Sequence, residues 1–149
     1  MKVYLATDHA GFAFKETIKA FLQAEGFDTE DCGSFSYQKD DDYPDFIVVA
    51  ARNVADHPGS FGIVLGKSGA GECIVANKVK GVRAFLGVSE KNVLLAREHN
   101  DANVLSLGSD IVSEEDAKHL SRLFLQTPFS NEERHVRRIE KIKKIEEEK

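Results

Sequence analysis

Short apolar runs rich in β-branched and aromatic residues recur along the chain between longer stretches with helical periodicity. The runs Val3 to Ala6, Phe61 to Leu65, Val82 to Leu86 and Val104 to Leu107 predict strands. A weaker strand is predicted over Phe27 to Cys32, before a polar stretch, Ser34 to Asp42, of turn composition with an acidic run. Helices are predicted over Phe12 to Glu25, Pro44 to Asp56, Ala70 to Lys80, Ser89 to Glu98 and Ser113 to Gln126, with Gly26 and Gly81 as C-terminal stops. Strands alternating with helices imply an α/β domain with a parallel sheet of about five strands. Right-handed crossovers then favour a doubly wound, Rossmann-like three-layer sandwich whose ligand crevice lies at the carboxyl ends of the strands.

After Pro128 the chain becomes highly charged, with Val136, Ile139, Ile142 and Ile145 spaced by three. Residues 129–149 therefore predict an extra C-terminal helix whose apolar stripe drifts around its axis. Such a stripe suits packing on a partner subunit, or on the helix's own domain with a frayed Glu-rich end, and the pattern alone does not choose.

Composition narrows the picture. With 149 residues and 42% hydrophobic content, the chain supports one well-buried core and a single domain spanning residues 1–149. A formal net charge of −5 argues against nucleic acid as a partner, so any anion site has to be local. No apolar run approaches the roughly 20 residues of a membrane helix, and the N-terminus lacks a signal-peptide pattern, which favours a soluble, cytoplasmic protein. Cys32 and Cys73 are too few for a disulfide framework and lack zinc-site spacing, so reduced thiols are expected.

Four groups of residues are candidates for chemistry. Gly66 to Glu72 follows a strand and opens a helix, so its glycines let backbone N–H groups of Gly69, Ala70 and Gly71 approach an anionic oxygen. Lys67-Ser68 stands before the last two glycines, unlike a nucleotide P-loop, which argues against a nucleoside triphosphate. Glu72 would lie in the first helical turn, where complementing the helix dipole is a sufficient role, and Ser68 would serve equally as a turn hydroxyl. Asp8-His9 ends the first strand, where a helix cap and a ligand contact are both reasonable readings. His99-Asn100 precedes the last strand, and a histidine suits proton donation and acceptance near neutrality. Arg134 and Arg138 share one face of the last helix, where they would take a phosphate from two sides or pair with Glu132, Glu133 and Glu140.

Taken together, Asp8-His9-Ala10-Gly11-Phe12, Asp42-Tyr43-Pro44-Asp45, Ser68-Gly69-Ala70-Gly71, Ala76 to Arg83, His99 to Leu105 and Arg134-His135 with Arg137-Arg138 resemble the ribose-5-phosphate isomerase type B family and its galactose-6-phosphate isomerase relatives. The order and spacing of the motifs carry the match from Met1 to about Ile142. The resemblance implies a homodimer or dimer of dimers with active sites built from two subunits. It also implies interconversion of ribose 5-phosphate and ribulose 5-phosphate in the pentose phosphate pathway, without metal or organic cofactor.

Members of that family place the catalytic base either on a cysteine ending the third strand or on a glutamate a few residues later. Here Gly66 stands at the cysteine position and Glu72 at the other, while Cys73 aligns with neither and is expected to be a small buried thiol. The resemblance further assigns ring opening to His99 with Asp8 as helper, proton relay to Ser68, phosphate binding to Arg134, Arg138 and His9, and sugar contacts to Tyr43 and Asn100. Lys67 belongs to the substrate-binding loop. Many relatives carry an arginine where this chain has Asp110, which would repel a phosphate at close range. A six-carbon phosphosugar is the nearest alternative substrate, and a non-catalytic phosphosugar-binding module is a reading from a different class.

Overall fold

Side chains on consecutive strand residues point to opposite faces, and the core divides accordingly. In the computed structural model, which describes residues 1–148, Val3 and Leu5 of β1 (Lys2–Thr7), Ile63 and Leu65 of β3 (Phe61–Gly66) and Leu105 and Leu107 of β5 (Val104–Gly108) share one apolar cluster. Ile18 and Leu22 of α1 (Phe12–Ala24), Val93 of α4 (Glu90–Asn100) and Ala117, Leu120 and Phe124 of α5 (Glu114–Gln126) cover that face. Tyr4, Ala6, Val64 and Val104 point the other way, onto α2 (Tyr43–Asp56) and α3 (Ala70–Ala76). Three layers result, as the alternation of strands and helices predicts.

The sheet is parallel in the order β2-β1-β3-β5-β4, with β2 (Asp28–Asp31) and β4 (Ala84–Leu86) as edges. From β1 the chain moves outward to β2 and then returns past β1 to β3. The β1/β3 boundary is therefore the switch point, where diverging connections leave a crevice at the carboxyl ends of the strands. Among the described residues, no helix is long and apolar enough to cross a membrane.

Element bounds differ from the sequence expectation where side chains replace backbone pairing. The third helix ends at Ala76, not Lys80, because the Asn77 amide turns to β4, accepting from Ala84 N at 2.8 Å and donating to Ala84 O at 2.9 Å. The predicted strand from Val82 is shortened to Ala84–Leu86 because Asn103 Oδ1 takes the Arg83 N–H at 2.8 Å. Gly81, with φ of 88°, closes the extra turn after α3 and not the helix itself. The C-terminal helix α6 (Glu133–Glu147) buries His135 and Ile139 against its own chain and leaves Val136, Ile142 and Ile145 partly exposed.

A buried cation ties the β2 edge down. Lys15 of α1 is fully buried and donates to both Asp31 carboxylate oxygens, at 2.7 and 2.8 Å, and to Ser34 O at 2.6 Å. Burial alone would raise the Asp31 carboxyl, but Lys15, Lys19 and the Gly33 N–H hold it below its ordinary value. Beyond β2 the chain stays on β1 through Thr7 N–H to Gly33 O at 2.8 Å and Ser34 N–H to Thr7 O at 2.7 Å. This fixes the start of the loop leading to Asp41 and Tyr43. Lys15→Met should lower stability by about 2 kcal/mol, because it removes one of the two cations on Asp31, Lys19 remaining, and takes the buried donor from Ser34 O; urea denaturation measures it, and a loss under about 0.5 kcal/mol would contradict the account.

Candidate active site

The switch point brings two loops together, one after β1 and one after β3. Thr7 Oγ1 donates to Leu65 O at 2.6 Å, joining the two strand ends in the interior. Gly11, in the 3-10 turn His9–Gly11, then packs so closely on Gly66 that a Cβ there would come within 3.0 Å of Gly66 N and Cα. Asp8, nearly buried, caps this turn by accepting from Ala10 N at 3.0 Å, so the capping role read from the sequence is real.

The loop after β3 depends on similar approaches. Gly69 has φ of 77°, a left-handed conformation that favours glycine, and its carbonyl accepts from Ser106 Oγ of β5 at 2.6 Å. The Tyr43 ring lies on Gly71, where a Cβ would stand 2.6 Å from Tyr43 Cζ. Ser68 is exposed and its Oγ accepts from Ala70 N at 3.2 Å, the turn role expected of it.

Glu72 enters α3 in its first turn, yet only 5% of it is exposed, so it does more than complement the helix dipole. Its carboxylate lies directly against Gly66, in the space any larger side chain at that position would take. Burial raises the Glu72 carboxyl above its ordinary value, and the nearby Asp8 charge adds to the rise. A carboxylate so placed is a proton acceptor poised nearer neutrality. Cys73 is half-buried, less than expected, and burial raises its thiol, which disfavours the nucleophilic thiolate. Cys32 is pushed up to about 11, chiefly by burial.

Lys67 and Asp110 flank the crevice, both well exposed, with 4.0 Å between Nζ and the carboxylate. The Asp110 N–H donates to Lys67 O at 2.9 Å, so the two loops run side by side. Asp110 thus faces a lysine of the glycine loop, which offsets its charge.

The remaining expected residues lie at the other edge of the sheet. Gly66 pairs with Gly108 and Gly62 with Val104, so four strand residues, about 13 Å, separate the Glu72 edge from the edge where β5 begins. His99 and Asn100 end α4 just before β5, in a helix and not the expected loop. The His99 ring stacks on buried His135 of α6 with centroids 4.2 Å apart. Burial, with His99 and Arg134 alongside, holds His135 below its ordinary value. Arg134 and Arg138 rise from the same helix; Arg134 pairs with Glu132 at 3.0 Å, the ion-paired reading left open by the sequence. One chain therefore brings together Asp8, His9, Tyr43, Lys67, Ser68, Gly69, Ala70, Gly71 and Glu72, and holds His99, Asn100, Arg134 and Arg138 apart from them.

Two residues at this edge escaped the sequence reading: Ser106 and Asp41. A hydroxyl within Val104-Leu105-Ser106-Leu107, at a fully buried strand position, was a usable signal, because such a group needs a specific partner. Asp41 lay hidden in an acidic run, where one carboxylate looks like the next. Asp8, His9 and Asp41 bring donor atoms within 4.8 Å of one another. His9 Nδ1 and Asp41 Oδ1 are 2.6 Å apart, however, which is a hydrogen bond and not a pair of donors around an ion.

A buried carboxylate beside a glycine loop that opens a helix, at the switch point of a parallel sheet, places an α/β fold of this kind among those that bind small ligands at the carboxyl ends of the strands. Residues 3–142 match the Ribose/Galactose Isomerase family, and the chain belongs to it. Ribose-5-phosphate isomerase B of Mycolicibacterium paratuberculosis is 46% identical over 98% of this chain and 92% of that protein. The Mycobacterium tuberculosis protein of the same name is 44% identical over 98% and 90%. Among solved structures, ribose-5-phosphate isomerase B of Mycoplasma genitalium with bound ribulose-5-phosphate superposes with a TM-score of 0.94 at 40% identity, covering 99% of this chain and 97% of that one. Type B ribose 5-phosphate isomerase of Trypanosoma cruzi gives 0.95 at 40% identity, covering both chains completely.

Gly66→Ala tests the space beneath the base. The methyl group would push the Glu72 carboxylate aside, the three nearest atoms all belonging to that side-chain end and none to backbone, so turnover should fall about 100-fold with a smaller effect on stability. Steady-state kinetics beside a melting curve separate the two, and an active Gly66→Ala protein would contradict the packing argument.

Proposed function

We propose that the chain is an aldose–ketose isomerase that interconverts ribose 5-phosphate and ribulose 5-phosphate, acting in the cytoplasm as a homodimer or dimer of dimers, with Glu72 as base. The buried Glu72 carboxylate against Gly66 carries this reading, and the kinship with ribose-5-phosphate isomerases supports it. The separation of His99 and the arginines from Glu72 within one chain favours a site completed by a second subunit.

The furanose opens first, with His99 of the partner subunit protonating the ring oxygen and Asp8 drawing the proton from the anomeric hydroxyl. Glu72 then removes the C2 proton, and the electron pair moves through the C1–C2 bond to O1. Amides of Gly69, Ala70 and Gly71 stabilise the enediolate oxygen, a contribution of about 3 to 4 kcal/mol for a well-placed donor. Ser68 relays a proton between O2 and O1, and Glu72 returns its proton to C1, leaving the carbonyl at C2. Tyr43 and Asn100 of the partner subunit contact the sugar; Lys67 lies at the mouth. His9, with the partner's Arg134 and the partner's Arg138, holds the phosphate, so remote binding energy positions the reacting carbons. Each step is a proton transfer between the sugar and a residue of the protein, and no metal or cofactor is assigned.

Glu72→Gln should lower kcat for ribose 5-phosphate about 1000-fold with a modest change in KM, and near-normal turnover would remove Glu72 as the base. The base acts only when ionised, so wild-type kcat/KM should fall as pH drops through the raised carboxyl value, above the ordinary glutamate range near 4.3. A shared site has its own signature: two inactive variants, Glu72→Gln and His99→Asn, should regain activity when co-expressed, since one site of the mixed dimer keeps both groups. Failure to regain it while the mixed dimer forms would place all catalytic groups within one subunit.

A further inference from the structure

Asp41 has no part in the steps above, yet its surroundings are unusual for a loop aspartate. Its side chain is 10% exposed, and one oxygen, Oδ1, accepts twice from the same residue: from the His9 backbone N–H at 2.9 Å and from ring Nδ1 at 2.6 Å. The other oxygen, Oδ2, is buried and has no partner among the described residues. Two donors of a single residue on one carboxylate oxygen fix that residue's backbone and ring together. Among the described residues, Asp41 and Asp8 are the charged groups facing the His9 ring, the latter 4.0 Å from Nδ1, and Tyr37 meets the ring edge-on with centroids 6.2 Å apart.

We propose that Asp41 is a positioning residue for anion binding: by accepting the Nδ1 proton of His9 and anchoring its backbone N–H, it favours the imidazolium, whose second donor, Nε2–H, is left for the substrate phosphate. The inference rests on the reading of His9 as a phosphate contact. The fork at Oδ1 removes the rotation about the His9 side chain that would otherwise oppose binding. It also keeps a proton on Nδ1, so Nε2 donates to an anion only while the ring is cationic. The Asp41 hydrogen bond lifts His9 above its ordinary value, against the opposing effect of partial burial and with help from Asp8. A cationic ring attracts a phosphate, so this part of the binding is present below the raised value and lost as pH rises through it.

Asp41→Asn keeps the shape and removes the charge. At about pH 7.5 it should raise KM for ribose 5-phosphate about tenfold with kcat nearly unchanged, and at about pH 5.5, where an unassisted histidine is protonated, the ratio to wild type should shrink toward one. A KM ratio equal at both pH values, or a loss confined to kcat, would overturn the proposal. His9→Ala separates the inference from the reading beneath it: an unchanged KM there removes His9 from the phosphate, whereas a raised KM there with a normal Asp41→Asn protein removes only Asp41's role. Should Asp41→Asn not fold, an NMR titration of His9 in the unaltered protein decides. A midpoint above 6.5 that rises further with inorganic phosphate agrees with the proposal, and one at or below 6.5 overturns it.

Discussion

The contact between the Glu72 carboxylate and the bare Cα of Gly66 sets the terms for everything at the carboxyl edge of the sheet. A strand can end on glycine without a side chain only if its neighbours supply the packing. Here Thr7 bonds across to Leu65, Gly11 lies on Gly66 from one side, and Ser106 holds the Gly69 carbonyl from the other. Each of these contacts fails for a larger residue or one without a hydroxyl. Together they exclude water from Glu72, and that exclusion raises its carboxyl toward the range where it exchanges protons readily.

The same compactness limits what one subunit accomplishes. Parallel strands place loops after strands at one end of the sheet and helix ends before strands at the other, so Glu72 at the start of α3 and His99 at the end of α4 lie at opposite ends. His99 stacks on His135 at the far edge, and Arg134 and Arg138 project from α6 beside it. The proposed dimer would join opposite ends of two sheets without lengthening any loop. It also fits a chain of net charge −5 that binds an anion: cations are gathered at a few points and not spread over a face.

Much of this was legible in the chain. The alternation of apolar runs and helical stretches leads to the parallel sheet, because strand and helix periods are local properties that tertiary packing rarely reverses when they agree. Boundaries were less legible. Asn77 and Asn103 end one helix and delay one strand through side-chain bonds to residues 7 and 20 positions away, and the spacing of apolar positions does not register such polar pairs. The resemblance, not the periodicity, singled out Glu72.

The sequence by itself determined the layers, the parallel sheet and the glycine loop with its glutamate, since these follow from residue type at fixed local spacing. Only the tertiary structure decided the strand order, and with it that Asp8 and Glu72 share a crevice while His99 lies beyond reach. It alone raised Asp41 from one acid in a polar run to the partner of His9, and set Asp110 beside Lys67. The physical reason is the same in each case. Burial and charge act through space between segments distant in sequence, so a carboxylate's environment, and therefore its chemistry, does not exist until the strands have paired.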